Sequence, residues 1–152
     1  MPKVLVIADT SCLVILEKIH ELPILRKVYN QVITTPEVQL EFGKSLPDWI
    51  IIETVKDKKY QRFIETQLDL GESSAIALAS EKEDCILILD DLKARKVAKR
   101  LGFKFTGTLG VINKAKENGI IERIRPYIDK LKSTDFRISE KVIEDLLQRN
   151  NE

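Results

Sequence analysis

Apolar residues fall along this chain in two rhythms, and the alternation between them lays out the fold. Residues 3–8, 31–34 and 85–89 are short, nearly unbroken apolar runs (Val4-Leu5-Val6-Ile7-Ala8, Val32-Ile33 and Cys85-Ile86-Leu87-Ile88-Leu89). Such runs suit strands buried on both faces of a parallel sheet. Residues 49–55 are β-rich but flanked by Pro47, Asp48 and the lysines of 56–59, which predicts a short edge strand. Residues 104–106 predict a last short strand.

Helical spacing fills the intervals. Leu13, Leu16 and Ile19 predict a helix after Asp9, broken over 20–23, and Leu25, Val28 and Tyr29 a short second one. Thr35-Pro36-Glu37 opens a helix with proline in its first turn, and Gly43 stops it. Helices are expected over 59–67 and, with Asp69 as N-cap, over the small-residue stretch to Ala79. Ala94, Val97, Ala98 and Leu101 mark another, and Gly107-Thr108-Leu109-Gly110-Val111 turns into one that ends at Gly119. The last two cover 121–131 and 139–148, the latter capped by Ser139 with Ile138 stapling onto Ile143. Strands alternating with helices give a three-layer α/β/α sandwich with a mostly parallel sheet, 85–89 being its expected central strand. Residues 1–152 read as a single domain, with the helices of about 121–149 a packing or interaction extension.

Composition narrows the setting. The chain has 152 residues, 43% hydrophobic and 32% charged, with a formal net charge of +1. A nucleic-acid partner must therefore be met by a local basic patch. Cys12 and Cys85 have no metal-ligand spacing and read as buried thiols in a reducing, cytoplasmic compartment. The apolar run ending at Ala8 is too short for a membrane span. Richness in Ile, Lys and Glu leans toward a heat-adapted source.

The candidate chemistry is carboxylate. Asp9 closes the first strand; as an N-cap it would be worth about 1 kcal/mol, and as a metal ligand it would stand at a strand's carboxyl end. Glu41, near the edge of its helix's apolar stripe, has the pattern of a surface residue. Glu72 lies three, four and seven residues before Ala75, Ile76 and Ala79 and so projects from a buried face, although Asp69 with Glu72 also spells a capping box. Asp90 and Asp91 close the 85–89 run, where one acid would suffice to cap the next helix. Ends of neighbouring parallel strands lie side by side, so these acids should converge. Two carboxylates about 4 Å apart repel by roughly 4 kcal/mol at an effective dielectric of 20. Either protons are retained, Lys93 or Arg95 supplies counter-charge, or a divalent cation neutralises the group. All-oxygen ligation suits Mg²⁺ or Mn²⁺.

As an ordered set these residues resemble the PIN-domain nucleases. Asp9-Thr10-Ser11 is similar to that family's opening motif, Thr35 to Glu41 to its second acidic position, and Gly71-Glu72 with Ala75 to Ala79 to its third. Leu89-Asp90-Asp91 with Ala94-Arg95 and Ala98, then Gly107-Thr108-Leu109-Gly110, is similar to the fourth region, and the resemblance runs from Val4 to about Gly119. It is closest to the prokaryotic branch that includes toxins of toxin–antitoxin pairs. The resemblance implies Mg²⁺- or Mn²⁺-dependent endoribonuclease activity, an RNA substrate, an antitoxin protein as partner and a homodimer. It departs in two places: the third acid, often aspartate, is Glu72, and the fourth is doubled, which leaves Asp90 or Asp91 as ligand with Asp90 slightly favoured.

The expected site is thus Asp9, Glu41, Glu72 and Asp90 or Asp91 around one or two ions that activate water against a phosphodiester. Ser11 and Thr108 are expected to cap their helices, with metal waters or a phosphate oxygen as their other role. Lys93, Arg95, Lys96 and Lys99 form the basic footprint for RNA. His20, the single histidine, is expected to face solvent. Two rival classes are a PIN-like module that binds RNA or protein without catalysis, and a receiver-like phosphoacceptor. The latter needs an acid beside Asp9, where Ala8 and Thr10 stand.

Overall fold

A computed structural model describes residues 4–152. Lys3, expected in the first strand, lies outside them. The described residues form β1 (Leu5–Ala8), α1 (Thr10–Lys18), α2 (Ile24–Val28), β2 (Gln31–Thr34), α3 (Pro36–Phe42), β3 (Ile50–Ile52) and α4 (Lys58–Glu65). Next come α5 (Leu70–Ser80), β4 (Ile86–Ile88), α6 (Leu92–Arg100), β5 (Phe105–Thr106), α7 (Thr108–Glu117), α8 (Arg125–Lys132) and α9 (Glu140–Arg149). All strand pairs are parallel, in the order β3-β2-β1-β4-β5. The chain steps outward from β1 to β2 and β3, then returns to the other side for β4 and β5. The reversal falls between β1 and β4, whose register pairs Ala8 with Ile88. Crevices at such a reversal, beyond the carboxyl ends of the strands, are where open α/β sheets hold ligands.

Side chains alternate between two apolar layers, as a period of two requires. Val6, Ala8 and Ile88 face the cluster built with α1, α2, α7, α8 and α9; Ile7, Leu87 and Leu89 face the one built with α4, α5 and α6. This is the expected three-layer α/β sandwich. The C-terminal helices belong to it: Ile128, Leu131, Ile143 and Leu146 are buried in the first cluster, and Ile138 packs against it.

The sequence reading needs four corrections of detail. The centre of the sheet is β1, while β4 has only β5 outside it; a run of apolar residues reports burial, and both positions are covered on two faces. Leu101, assigned to the apolar stripe of α6, is 40% exposed, because the helix ends at Arg100 and Leu101 is its C-cap. The helix expected from 121 begins at Arg125, with Pro126 in its first turn. Cys85 is only half-buried, whereas Cys12 is fully buried; both are free thiols. His20 is exposed and takes a left-handed backbone (φ 59°) where α1 has ended. Among the described residues, no helix is long and apolar enough to cross a membrane.

Candidate metal centre

The carboxyl ends of β1 and β4, the N-terminus of α5 and the last turn of α3 meet at one place. Asp9 follows β1 and donates its N–H to the Ile88 carbonyl (3.3 Å), which extends the strand pairing to the edge of the crevice. It occupies the N-cap position of α1, but its side chain makes no capping hydrogen bond. The residue is 4% exposed, and its Oδ1 is buried without a hydrogen-bond partner. Burial first, then the charges of Glu72, Asp69 and Glu41, push its pKa up to about 8 against the pull of the Thr10 N–H.

Glu41 reaches this site from the last turn of α3, held at both oxygens. Thr10 Oγ1 donates to Oε1 (2.5 Å) and the Gly71 N–H donates to Oε2 (3.2 Å). The glycine is there for room: a Cβ on Gly71 would lie 2.9 Å from Glu41 Cδ and collide with its Oε1. Below them, Thr35 caps α3 through the Val38 N–H (3.2 Å) and shares a 2.7 Å hydrogen bond with Ser74, whose hydroxyl also lies 2.8 Å from the Gly71 carbonyl. This chain of hydroxyls locks α3 to α5. The pattern of residue types gave Glu41 the character of a surface residue; the folded chain leaves it exposed but anchors its head group.

Glu72 sits in the first turn of α5 and is 8% exposed. Its N–H donates to Asp69 Oδ1 (2.9 Å), so the expected cap exists. Its own carboxyl is pushed up to about 7, by burial and then by the charges of Asp69 and Asp91. Asp69, which was given only a capping part, is therefore a further acid bearing on both Asp9 and Glu72. Its position one turn before Glu72 was the signal available in the sequence.

Asp90 and Asp91 each have a helix to cap, and this corrects the argument that two acids exceed what capping requires. Asp91 Oδ2 accepts from the Ala94 N–H (3.0 Å) and caps α6. Asp90 accepts from the Thr108 N–H (2.8 Å) at Oδ1 and from Thr108 Oγ1 (2.6 Å) at Oδ2, and so caps α7, the helix that follows the neighbouring strand β5. Gly107, the N-cap of α7 by position, leaves space for this: a Cβ there would stand 2.9 Å from Asp90 Oδ1 and collide with the Arg95 guanidinium. Of the two acids it is Asp91 whose charge raises Glu72, while that of Asp90 bears on Cys12.

Ser11 and Thr108 are not the caps they were expected to be. Ser11 is an exposed residue within the first turn of α1 that lines an open groove with Asp90 and Asp91, and Thr108 is the first residue of α7, bonded to Asp90. Arg95 Nε donates to the Leu89 carbonyl (2.7 Å), and its guanidinium lies 5.5 Å from the centre of the Phe105 ring, so this member of the basic footprint is built into the α6–β5 layer. Lys93, Lys96 and Lys99 are exposed on α6.

Among the described residues, no three His, Cys, Asp or Glu side chains form a group drawn tightly enough to hold a metal ion as they stand. The carboxyls of Glu41, Asp69, Asp90 and Asp91 each have a hydrogen-bond partner of their own, and mutual repulsion keeps bare carboxylates apart. The donor set nonetheless fits a hard divalent cation. It offers only oxygen, one buried oxygen atom lacks any partner, and burial together with neighbouring negative charge raises the pKa of two of its carboxyls.

The sequence model of one family, described as a PIN domain, matches residues 5–152. No curated protein matches the chain significantly.

Proposed function

Because the chain belongs to the PIN-domain family, whose fold is nuclease-like, we propose that it is a divalent-metal-dependent endoribonuclease acting on RNA phosphodiester bonds. Asp9, Glu41 and Glu72 would hold Mg²⁺ or Mn²⁺, together with Asp91 through its free Oδ1 or Asp90 after release from Thr108. The observation that carries the reading is Asp9: an acid buried at the sheet's reversal point, doing no capping, with an oxygen aimed at nothing. A group so placed costs stability unless a ligand compensates it.

A divalent ion bound there supplies an activated water and Lewis-acid stabilisation of the leaving oxygen. The protein supplies the rest. Glu41 is pre-set by Thr10 and Gly71, so little reorganisation is needed at that corner. Asp9 and Glu72 release their protons on binding, which makes ion affinity rise with pH toward 8. Lys93, Lys96 and Lys99 on α6 offer cations to the RNA backbone. A place as the toxin of a toxin–antitoxin pair, with an antitoxin protein and a homodimeric state, rests on the ordered motif set alone. The free thiols Cys12 and Cys85 support a reducing, cytoplasmic setting.

The use of Asp90 and Asp91 as caps favours a second reading, a PIN-like module that binds RNA or protein without cutting. One experiment separates them. The nuclease should melt at a higher temperature in millimolar Mn²⁺ and should cleave single-stranded RNA only with the metal present. A melting temperature indifferent to Mn²⁺, with RNA left whole, would leave the binding module.

A further inference from the structure

The segment joining α8 to α9 runs along the crevice and is pinned on both sides of Arg137. Asp135 is paired with Lys18 of α1 (3.2 Å), and Phe136 packs against the first core cluster while its N–H donates to Thr134 Oγ1 (3.1 Å). Beyond Arg137, Ile138 packs against the same cluster and Ser139 caps α9. Arg137 itself is exposed, and among the described residues it has no ion-pair partner. Two grooves meet at it. One, of about 460 Å³, has Thr10, Ser11, Asp90 and Asp91 on its other walls; the second, of about 170 Å³, has Asp90 and Gly107. The neighbouring cations are already engaged, Lys18 by Asp135 and Arg95 by the Leu89 carbonyl. An exposed guanidinium that lines the same groove as two carboxylates, yet is bonded to neither, is arranged for an anion that arrives from solution.

We propose that Arg137 binds a backbone phosphate of single-stranded RNA in the groove beside Asp90 and Asp91. A planar guanidinium can take two phosphate oxygens at once, which fixes the strand's direction as well as its distance from the acids. The proposal rests on the nuclease reading above and names the side from which the substrate enters: over the carboxyl end of β4, between α1 and the α8–α9 segment. No residue pattern marks it, because a lone arginine in a loop has no spacing to read.

The test uses the full chain and a fluorescein-labelled single-stranded RNA of mixed sequence, first in EDTA by fluorescence anisotropy over a range of salt, then in Mn²⁺ for cleavage. Arg137→Ala should weaken binding about tenfold and lower the slope of log affinity against log salt by roughly 0.7, one phosphate contact on a single strand. Arg137→Lys should restore the slope and part of the affinity. In cleavage the alanine variant should raise KM more than it lowers kcat, with the Mn²⁺-induced rise in melting temperature unchanged. Equal affinity and slope in wild type and Arg137→Ala, with both cleaving alike, would overturn this inference and leave the nuclease reading standing. A gain in Mn²⁺ affinity or in kcat on losing the guanidinium would also overturn it, by making Arg137 a counter-ion to the acids. Arg137-dependent RNA binding without any Mn²⁺ effect or cleavage would keep the contact and remove the nuclease reading. Failure of the wild type to bind RNA would remove both.

Discussion

At Asp9, burial and neighbouring charge act in the same direction, and the consequence is measurable without any substrate. An unfolded aspartate titrates near 3.8, whereas the folded one is raised to about 8; Glu72 moves from 4.5 to about 7. Between those limits the folded chain binds more protons than the unfolded one, so its metal-free stability falls as pH rises from about 4 to about 8. Asp9→Asn removes the buried charge and keeps the shape. Its metal-free melting temperature at pH 8 should equal or exceed that of the wild type, and its loss of stability between pH 5 and pH 8 should be smaller. Metal-dependent RNA cleavage should vanish with it. A variant that melts well below the wild type at pH 8 while still cleaving would return Asp9 to the role of an N-cap.

The elements around the site were readable where chemistry and backbone agree. Thr35-Pro36 and Gly43 bound α3 as expected, with Gly43 left-handed at φ 76°, and Asp69 caps α5. The side of the sheet on which β4 lies was not readable. Runs such as Ile86-Leu87-Ile88 report burial on two faces, and every interior strand has that. The doublet Asp90-Asp91 misled for a related reason: the sequence shows the helix that follows an acid but not a second helix that starts after the neighbouring strand. Gly71 was visible as a small residue beside the third acid of the motif, and not as the space in which the Glu41 carboxylate rests. Gly71→Ala therefore sets two effects against each other. Alanine favours the helix by about 1 kcal/mol, and its methyl displaces Glu41. Metal-free stability should stay within about 1 kcal/mol of the wild type, while Mn²⁺ affinity and cleavage both fall. Thr108→Val tests the other wall: it removes one of the two donors to Asp90 and should cost about 1 kcal/mol.

Across the whole molecule, two groups of acids pull stability in opposite directions with pH. Glu152 is the mirror image of Asp9. Burial works against its charge, but the N–H groups of Ile124 and Arg125 and the Lys116 ammonium outweigh it and bring the carboxyl down to about 2. Its carboxylate lies at the start of α8, where the helix dipole favours a negative charge, and ties α7, α8 and the end of α9 together. A folded pKa below the unfolded 4.5 gives stability that is present above pH 4.5 and lost as pH falls toward 2. Asp9 and Glu72 contribute the opposite limb. The metal-free chain should therefore be most stable at about pH 4 to 5, where Glu152 is still charged and the crevice acids are still protonated. Glu152→Gln should flatten the acid limb alone, and Asp9→Asn the neutral limb alone. Saturating Mn²⁺ should lift the neutral limb and move the maximum above pH 7, because ion binding draws on the deprotonated acids. Melting curves from pH 2.5 to 9, with and without the ion, measure all of this on one protein. A neutral limb that Mn²⁺ does not raise would mean that the crevice holds its charges for some purpose other than an ion.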